Sequence, residues 1–113
     1  MHEVSIMEEA VRMAIEAARA AGAQRVTGLR LRVGSLSGAV AEAMRFAWDA
    51  VRRDTMAEGA WLEIETVPAA CWCATCQSEF ACEDFPDECP RCHTPSDDVR
   101  RGRDLHIAEV EVN

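Results

Sequence analysis

Cys73-Ala74-Thr75-Cys76 and Cys89-Pro90-Arg91-Cys92 decide how this chain is read. The two Cys-x-x-Cys pairs stand 12 residues apart. Each pair sets two thiolates on one tight turn. Two such turns facing each other put four sulfurs at the corners of a tetrahedron, the geometry of structural Zn(II). Four protein ligands leave no open position, so such a metal holds structure and does not catalyse. Iron in a rubredoxin-like tetrathiolate site is the chemical runner-up. Cys71 and Cys82 are left over. They read first as small buried residues. Cys71 could also replace Cys73 as a ligand, or the two could form a redox sensor, which needs an exposed thiol of low pKa. Cys73 is preferred as the ligand because it completes a knuckle whose amides can donate to the sulfurs.

The rest of the composition bounds what the staple sits in. The chain has 113 residues, 49% of them hydrophobic but only 5% aromatic. One small domain, or a domain with a small appendage, is expected, with a light core to whose stability a metal would matter. Net charge is −8, from 20 acids against 12 bases, all of them arginine. Having no lysine excludes Schiff-base chemistry and a P-loop lysine. The acidic balance argues against a nucleic-acid partner. Residues 2–20 carry charges throughout, with no apolar signal core, and no apolar run is long enough to span a membrane. A cytoplasmic protein is expected. There, six cysteines are more often metal ligands than disulfides.

Periodicity assigns the flanking elements. Ser5-Ile6-Met7-Glu8 has the form of a capping box and predicts a helix over 6–21. Met7, Val11, Ala14, Ala18 and Ala21 form its inward stripe, with Gly22 in the left-handed position that ends it. Residues 25–33 alternate, Leu29, Leu31 and Val33 against Arg30 and Arg32, and predict a half-exposed strand. A second helix is predicted over 40–53, capped by Ser37 or a neighbour. Val40, Ala43, Ala47, Ala50 and Val51 would face inward, with Phe46 or Trp48 at the margins. Residues 61–67 make a second strand and 105–112 a third, whose alternation slips near Ala108 as a β-bulge would make it. Residues 69–103 have loop composition. The order α-β-α-β-Zn-β predicts an α+β fold: a mixed three-stranded sheet with two helices on one face and an inserted zinc-ribbon-like module. The strand–helix–strand unit 25–67 is a right-handed parallel crossover. Strands two and three are expected to pair antiparallel, with the module at their open end. The domains are then 1–68 with 104–113, and 69–103.

Met1-His2-Glu3 carries a second metal argument. A free α-amine, a backbone amide that can lose its proton and the imidazole of His2 lie in consecutive reach and form fused chelate rings. Square-planar nitrogen donors of this kind suit Ni(II) or Cu(II). The bland alternative is a frayed, solvated terminus.

The opening Met1-His2-Glu3 before a capped helix, Val33-Gly34-Ser35-Leu36-Ser37, the two Cys pairs, and Gly102-Arg103-Asp104-Leu105 before the closing strand together resemble the nickel metallochaperones of hydrogenase maturation, the HypA/HybF family. The resemblance spans essentially the whole chain. It implies a carrier that is not an enzyme and that delivers Ni(II) to the large subunit of [NiFe]-hydrogenase with a HypB-type GTPase, some members serving urease. It places nickel on Met1 (amine), His2 and the backbone or side chain of Glu3, and structural Zn(II) on Cys73, Cys76, Cys89 and Cys92. It also makes the exposed face of the first helix, at Glu9, Arg12 and Glu16, a candidate surface for the GTPase. A monomer or weak dimer is expected. The chain departs from the family pattern at His93, where glycine is common, at Asp104, where glutamate is usual, and at Cys71 and Cys82. The competing reading is a zinc-ribbon interaction or transcription-associated module without nickel, for which Arg100, Arg101 and Arg103 supply a small basic cluster.

Overall fold

The computed structural model describes residues 2–83 and 86–113. In chain order the elements are α1 (His2–Ala20), β1 (Val26–Gly34), α2 (Ala41–Val51), β2 (Trp61–Val67), β3 (Ala70–Cys73), β4 (Ser78–Ala81), β5 (Asp87–Glu88), β6 (Pro95–Ser96), β7 (Val99–Arg101) and β8 (Leu105–Val112). They form two compact units. The first comprises 2–32, 39–65 and 106–113, the second 33–38 and 66–105.

In the first unit α1 packs on α2. The inward stripe of α1 is Glu3, Met7, Ala10, Val11, Ala14 and Ala18. The helix begins at His2 and not at Ile6, so Ser5 lies inside it and the expected capping box is not the start signal. The physical reason is Glu3. It continues the stripe one turn toward the N-terminus, and its carboxylate accepts a hydrogen bond from the Val40 amide at 3.1 Å. Ala21 is exposed, beyond the helix end. Gly22 takes φ 72°, and the amides of Gly22 and Ala23 close back on Arg19 and Ala18, the Schellman pattern.

Helix α2 is out of phase with the expected stripe. Met44, Ala47 and Trp48 are buried, Val40 and Phe46 are exposed, and Ala50 faces out. The large, well-filling side chains Met44 and Trp48 win the core positions over the smaller alanines. The N-cap is Val40, which brings no side-chain cap of its own. The cap expected from Ser37 is supplied by Glu3 instead.

The sheet order is β2-β1-β8. On its outer face Arg30 pairs with Glu63 and Arg32 with Glu65. These partners rise together along the two chains, so β1 and β2 run parallel, as expected of the crossover. The expected pairing of strands two and three is corrected: β8 lies against β1. Thr27 bonds Glu111 at 2.9 Å and Arg25 exchanges backbone bonds with Asn113, which makes that pair antiparallel. β1 carries the most buried strand residues, Leu29, Leu31 and Val33, and takes the centre. β2 and β8 alternate half-buried with exposed, as edge strands do. The slip in β8 is present: Ile107 and Ala108 are both half-buried.

The second unit is more ordered than its composition suggests. β4-β3-β7 form a three-stranded sheet and β5-β6 a two-stranded one. Segments of two to four residues are too short to show a period in sequence. Residues 33–38 join this unit through backbone bonds: Ser35 N–H to Val67 at 2.9 Å, Leu36 N–H to Gly102 at 2.7 Å and Gly34 N–H to Asp104 at 2.8 Å. The chains pass so closely that a Cβ on Gly34 would lie 2.2 Å from the Gly102 carbonyl oxygen. Gly34→Ala is therefore expected to cost about 3 kcal/mol, the overpacking penalty against backbone that cannot yield. A urea midpoint unchanged from the parent would contradict this.

Candidate metal centres

Hairpin β3–β4 and the turn after β5 present the four sulfurs. The register Cys73↔Ser78 closes the hairpin around Cys76. Gln77, directly after Cys76, has φ 53°, and His93, directly after Cys92, has φ 62°. Both knuckles thus end in the left-handed conformation that turns the chain back. Cys73 and Cys92 sulfurs are 3.5 Å apart, those of Cys76 and Cys89 4.0 Å. All four lie within 4.8 Å of one another. Tetrahedral ligands at a Zn–S distance of about 2.3 Å stand about 3.8 Å apart, so the donor set fits a tetrathiolate metal. Among the described residues this is the cluster of three or more potential ligands that the fold assembles.

Amides and hydroxyls prepare the sulfurs. The Cys76 amide donates to the Cys73 sulfur at 3.4 Å. Hydrogen bonds from the amides of Cys92 and Arg91 pull Cys89 below the ordinary thiol value. Cys92 and the Thr94 hydroxyl are 3.1 Å apart, and hydrogen bonding with the side chain and backbone of Thr94 brings Cys92 down to about 6. Cys76, bonded to the Cys92 sulfur and partly desolvated, is pushed up to about 12. The sequence reading missed Thr94, whose only signal is its place two residues after the last cysteine. His93 stays outside the cluster. Its exposed ring faces Glu88, with Nδ1 3.1 Å from the carboxylate.

Cys71 and Cys82 are not in the four-sulfur group. They are 0% and 4% exposed and their sulfurs are 2.8 Å apart. Burial pushes the Cys71 thiol up to about 12, so Cys71 is not the sulfur of the pair that meets an external oxidant first. The arginine cluster is committed locally. Arg100 stacks on Trp72 at 4.4 Å and pairs with Asp98, and Arg101 pairs with Glu79.

At the other metal stretch, Met1 lies outside the described residues. His2 is exposed at the start of α1, and Glu3 is 8% exposed beneath it. Hydrogen bonds from the Val40 amide and its own hold the Glu3 carboxyl below the usual carboxylate range. The sign follows. A depressed folded-state value means the bond stabilises above the ordinary carboxylate pKa and is lost as pH falls through the lowered one. The Glu3–Val40 bond is a feature that sequence reasoning missed. Its only sequence signal is a glutamate in phase with an apolar stripe. Glu3→Ala is expected to lower the thermal midpoint by about 5 °C through loss of the α2 cap, with Glu3→Gln recovering most of it. Equal losses in both would show that charge, and not the bond, matters.

No helix is long and apolar enough to cross a membrane among the described residues. Residues 1–112 match the family described as "Hydrogenase/urease nickel incorporation, metallochaperone, hypA". The chain is 44% identical over 112 residues to the hydrogenase maturation factor HypA of a Picosynechococcus strain, and 41% to that of Geotalea uraniireducens. Each alignment covers 99% of both proteins. Its fold matches the solution structure of the Ni metallochaperone HypA from Helicobacter pylori, with TM-score 0.70 over 99% of this chain and 97% of that one, at 19% identity. A second solution structure of a HypA protein gives TM-score 0.73, also at 19% identity. With its two helices, mixed sheet and four-sulfur cluster, the chain belongs to the HypA family of nickel metallochaperones, which serve hydrogenase and urease nickel incorporation and are not enzymes.

Proposed function

We propose that the chain binds Ni(II) at Met1, His2 and Glu3 and delivers it to the large subunit of [NiFe]-hydrogenase, working with a HypB-type GTPase in the cytoplasm. Zn(II) on Cys73, Cys76, Cys89 and Cys92 is the structural partner of that activity. Nickel falls to the portion 1–68 with 104–113, and zinc to 69–103. The observation that carries the nickel reading is the start of α1 at His2. The amides of His2 and Glu3 are then among the four helix N–H groups with no intrahelical acceptor, so a metal can take them without breaking the helix ladder. The positive end of the helix favours an anion, which eases loss of an amide proton there. The Glu3 carboxylate is already engaged at Val40, so Glu3 contributes its backbone nitrogen. The ligand set would then be the Met1 amine, the two amides and the His2 imidazole, four nitrogen donors of the kind that suit Ni(II).

Calorimetric nickel titration of the tag-free protein tests this. One equivalent should bind, and an extension of two residues ahead of Met1 should abolish it while zinc content is unchanged. Equal nickel binding by the extended protein would overturn the reading. Arg12, held between Glu9 and Glu16 on the exposed face of α1, marks the surface proposed for the GTPase.

A further inference from the structure

We propose that Cys71 and Cys82 are a redox pair that closes into an intramolecular disulfide while the four zinc sulfurs keep their metal. The inference rests on the zinc reading of the four-sulfur cluster, and metal content is therefore measured separately below. The register Cys71↔Phe80 puts Cys71 and Phe80 on one face of hairpin β3–β4. Cys82 continues that ladder one step past β4, its amide donating to Ala69 at 3.3 Å. Cys71 and Cys82 are thus diagonal neighbours on the buried face, among Ala69, Cys73 and Phe80. Their sulfurs stand 2.8 Å apart. That is closer than the roughly 3.5–4.0 Å at which carbon atoms pack, and a small step from the ~2.05 Å of an S–S bond. Neither residue is needed to complete the metal tetrahedron, so joining them removes no zinc ligand.

The chemistry is thiol–disulfide exchange with a low-molecular-weight disulfide. Cys82 is the less enclosed of the two, 4% against 0% exposed, and sits at the strand end, so its sulfur attacks first. One S–S bond of the small disulfide breaks, one small thiol leaves, and a mixed disulfide remains on Cys82. The Cys71 sulfur then attacks the Cys82 sulfur and displaces the second small thiol. Two protein thiols have lost two protons and two electrons, and one small disulfide has become two thiols. The product ties β3 to the chain beyond β4 within the second unit.

Zinc-loaded, full-length protein is incubated with cystamine, then denatured, alkylated and weighed, with zinc measured in parallel. The expected result is four alkylated cysteines in place of six, a peptide cross-linked between Cys71 and Cys82, one zinc retained per chain, and full reversal by dithiothreitol. Cys82→Ser, under the same treatment, should carry five alkylated cysteines and no internal cross-link. Six alkylated cysteines in the treated parent would overturn the proposal. So would cross-links among Cys73, Cys76, Cys89 and Cys92 accompanied by zinc loss. A protein that carries no zinc from the outset would instead refute the zinc reading, whatever Cys71 and Cys82 do.

Discussion

Stripping zinc, by chelator or by Cys89→Ser, is expected to disorder residues 66–105 and to leave the helices of the first unit folded. The second unit has little else to hold it. Its strands are two to four residues long. Of the six buried residues in its apolar cluster, two belong to the four-sulfur group, Cys73 and Cys89, and the others are Ala69, Cys71, Phe80 and Cys82. A structural zinc contributes on the order of 10 kcal/mol to the order of such a module, more than this core offers without it. Cys89 is the most telling position to change. It is 2% exposed, and the amides of Arg91 and Cys92 that bond its sulfur would lose their thiolate. Amide spectra should show the signals of 66–105 collapse to random-coil positions while those of 2–32 persist. Collapse of both sets together would show that the first unit depends on the metal. Zinc uptake should also release protons at neutral pH, because Cys76, held near 12, keeps its proton until the cation arrives. Affinity should accordingly fall as pH is lowered.

The sequence made some of this legible and hid the rest, for reasons that can be named. Cys73, Cys76, Cys89 and Cys92 were readable because metal chemistry fixes the spacing, and the fold brings their sulfurs together. β1 and β2 were readable because alternation persists through them. The phase of α2 was not, since Ala43, Ala47 and Ala50 offer a stripe as regular as Met44, Ala47 and Trp48, and only packing volume separates the two. The placement of β8 beside β1 was hidden because all three strands of that sheet alternate, and alternation carries no partner. The start of α1 was hidden because Ser5 and Glu8 imitate a cap. The true anchor, Glu3 on Val40, joins residues 37 apart in sequence. The strands of 69–103 were hidden under Pro, Asp and Gly, which punctuate two-residue strands as readily as loops.

His2→Ala is expected to weaken nickel binding by at least a hundredfold and to leave zinc content and fold unchanged. The size of the effect follows from what His2 supplies. Losing an outer-shell partner of a metal site costs about ten- to a hundredfold in affinity, and His2 would be a direct ligand. Its ring also closes one of the fused chelate rings, so its removal leaves the amine and amides with less reason to give up protons to the metal. The fold should not respond, because His2 is exposed and the tether of the terminus is Glu3 on Val40. Glu3→Gln separates the two roles. It keeps the backbone nitrogen and a side chain able to accept from Val40, so nickel binding should stay within a few-fold of the parent. If Glu3→Gln abolished nickel binding while the thermal midpoint held, the carboxylate itself would be a ligand and the four-nitrogen assignment would fall. If His2→Ala bound nickel as tightly as the parent, the metal would have to sit elsewhere, and the solvated-terminus reading of Met1-His2-Glu3 would stand.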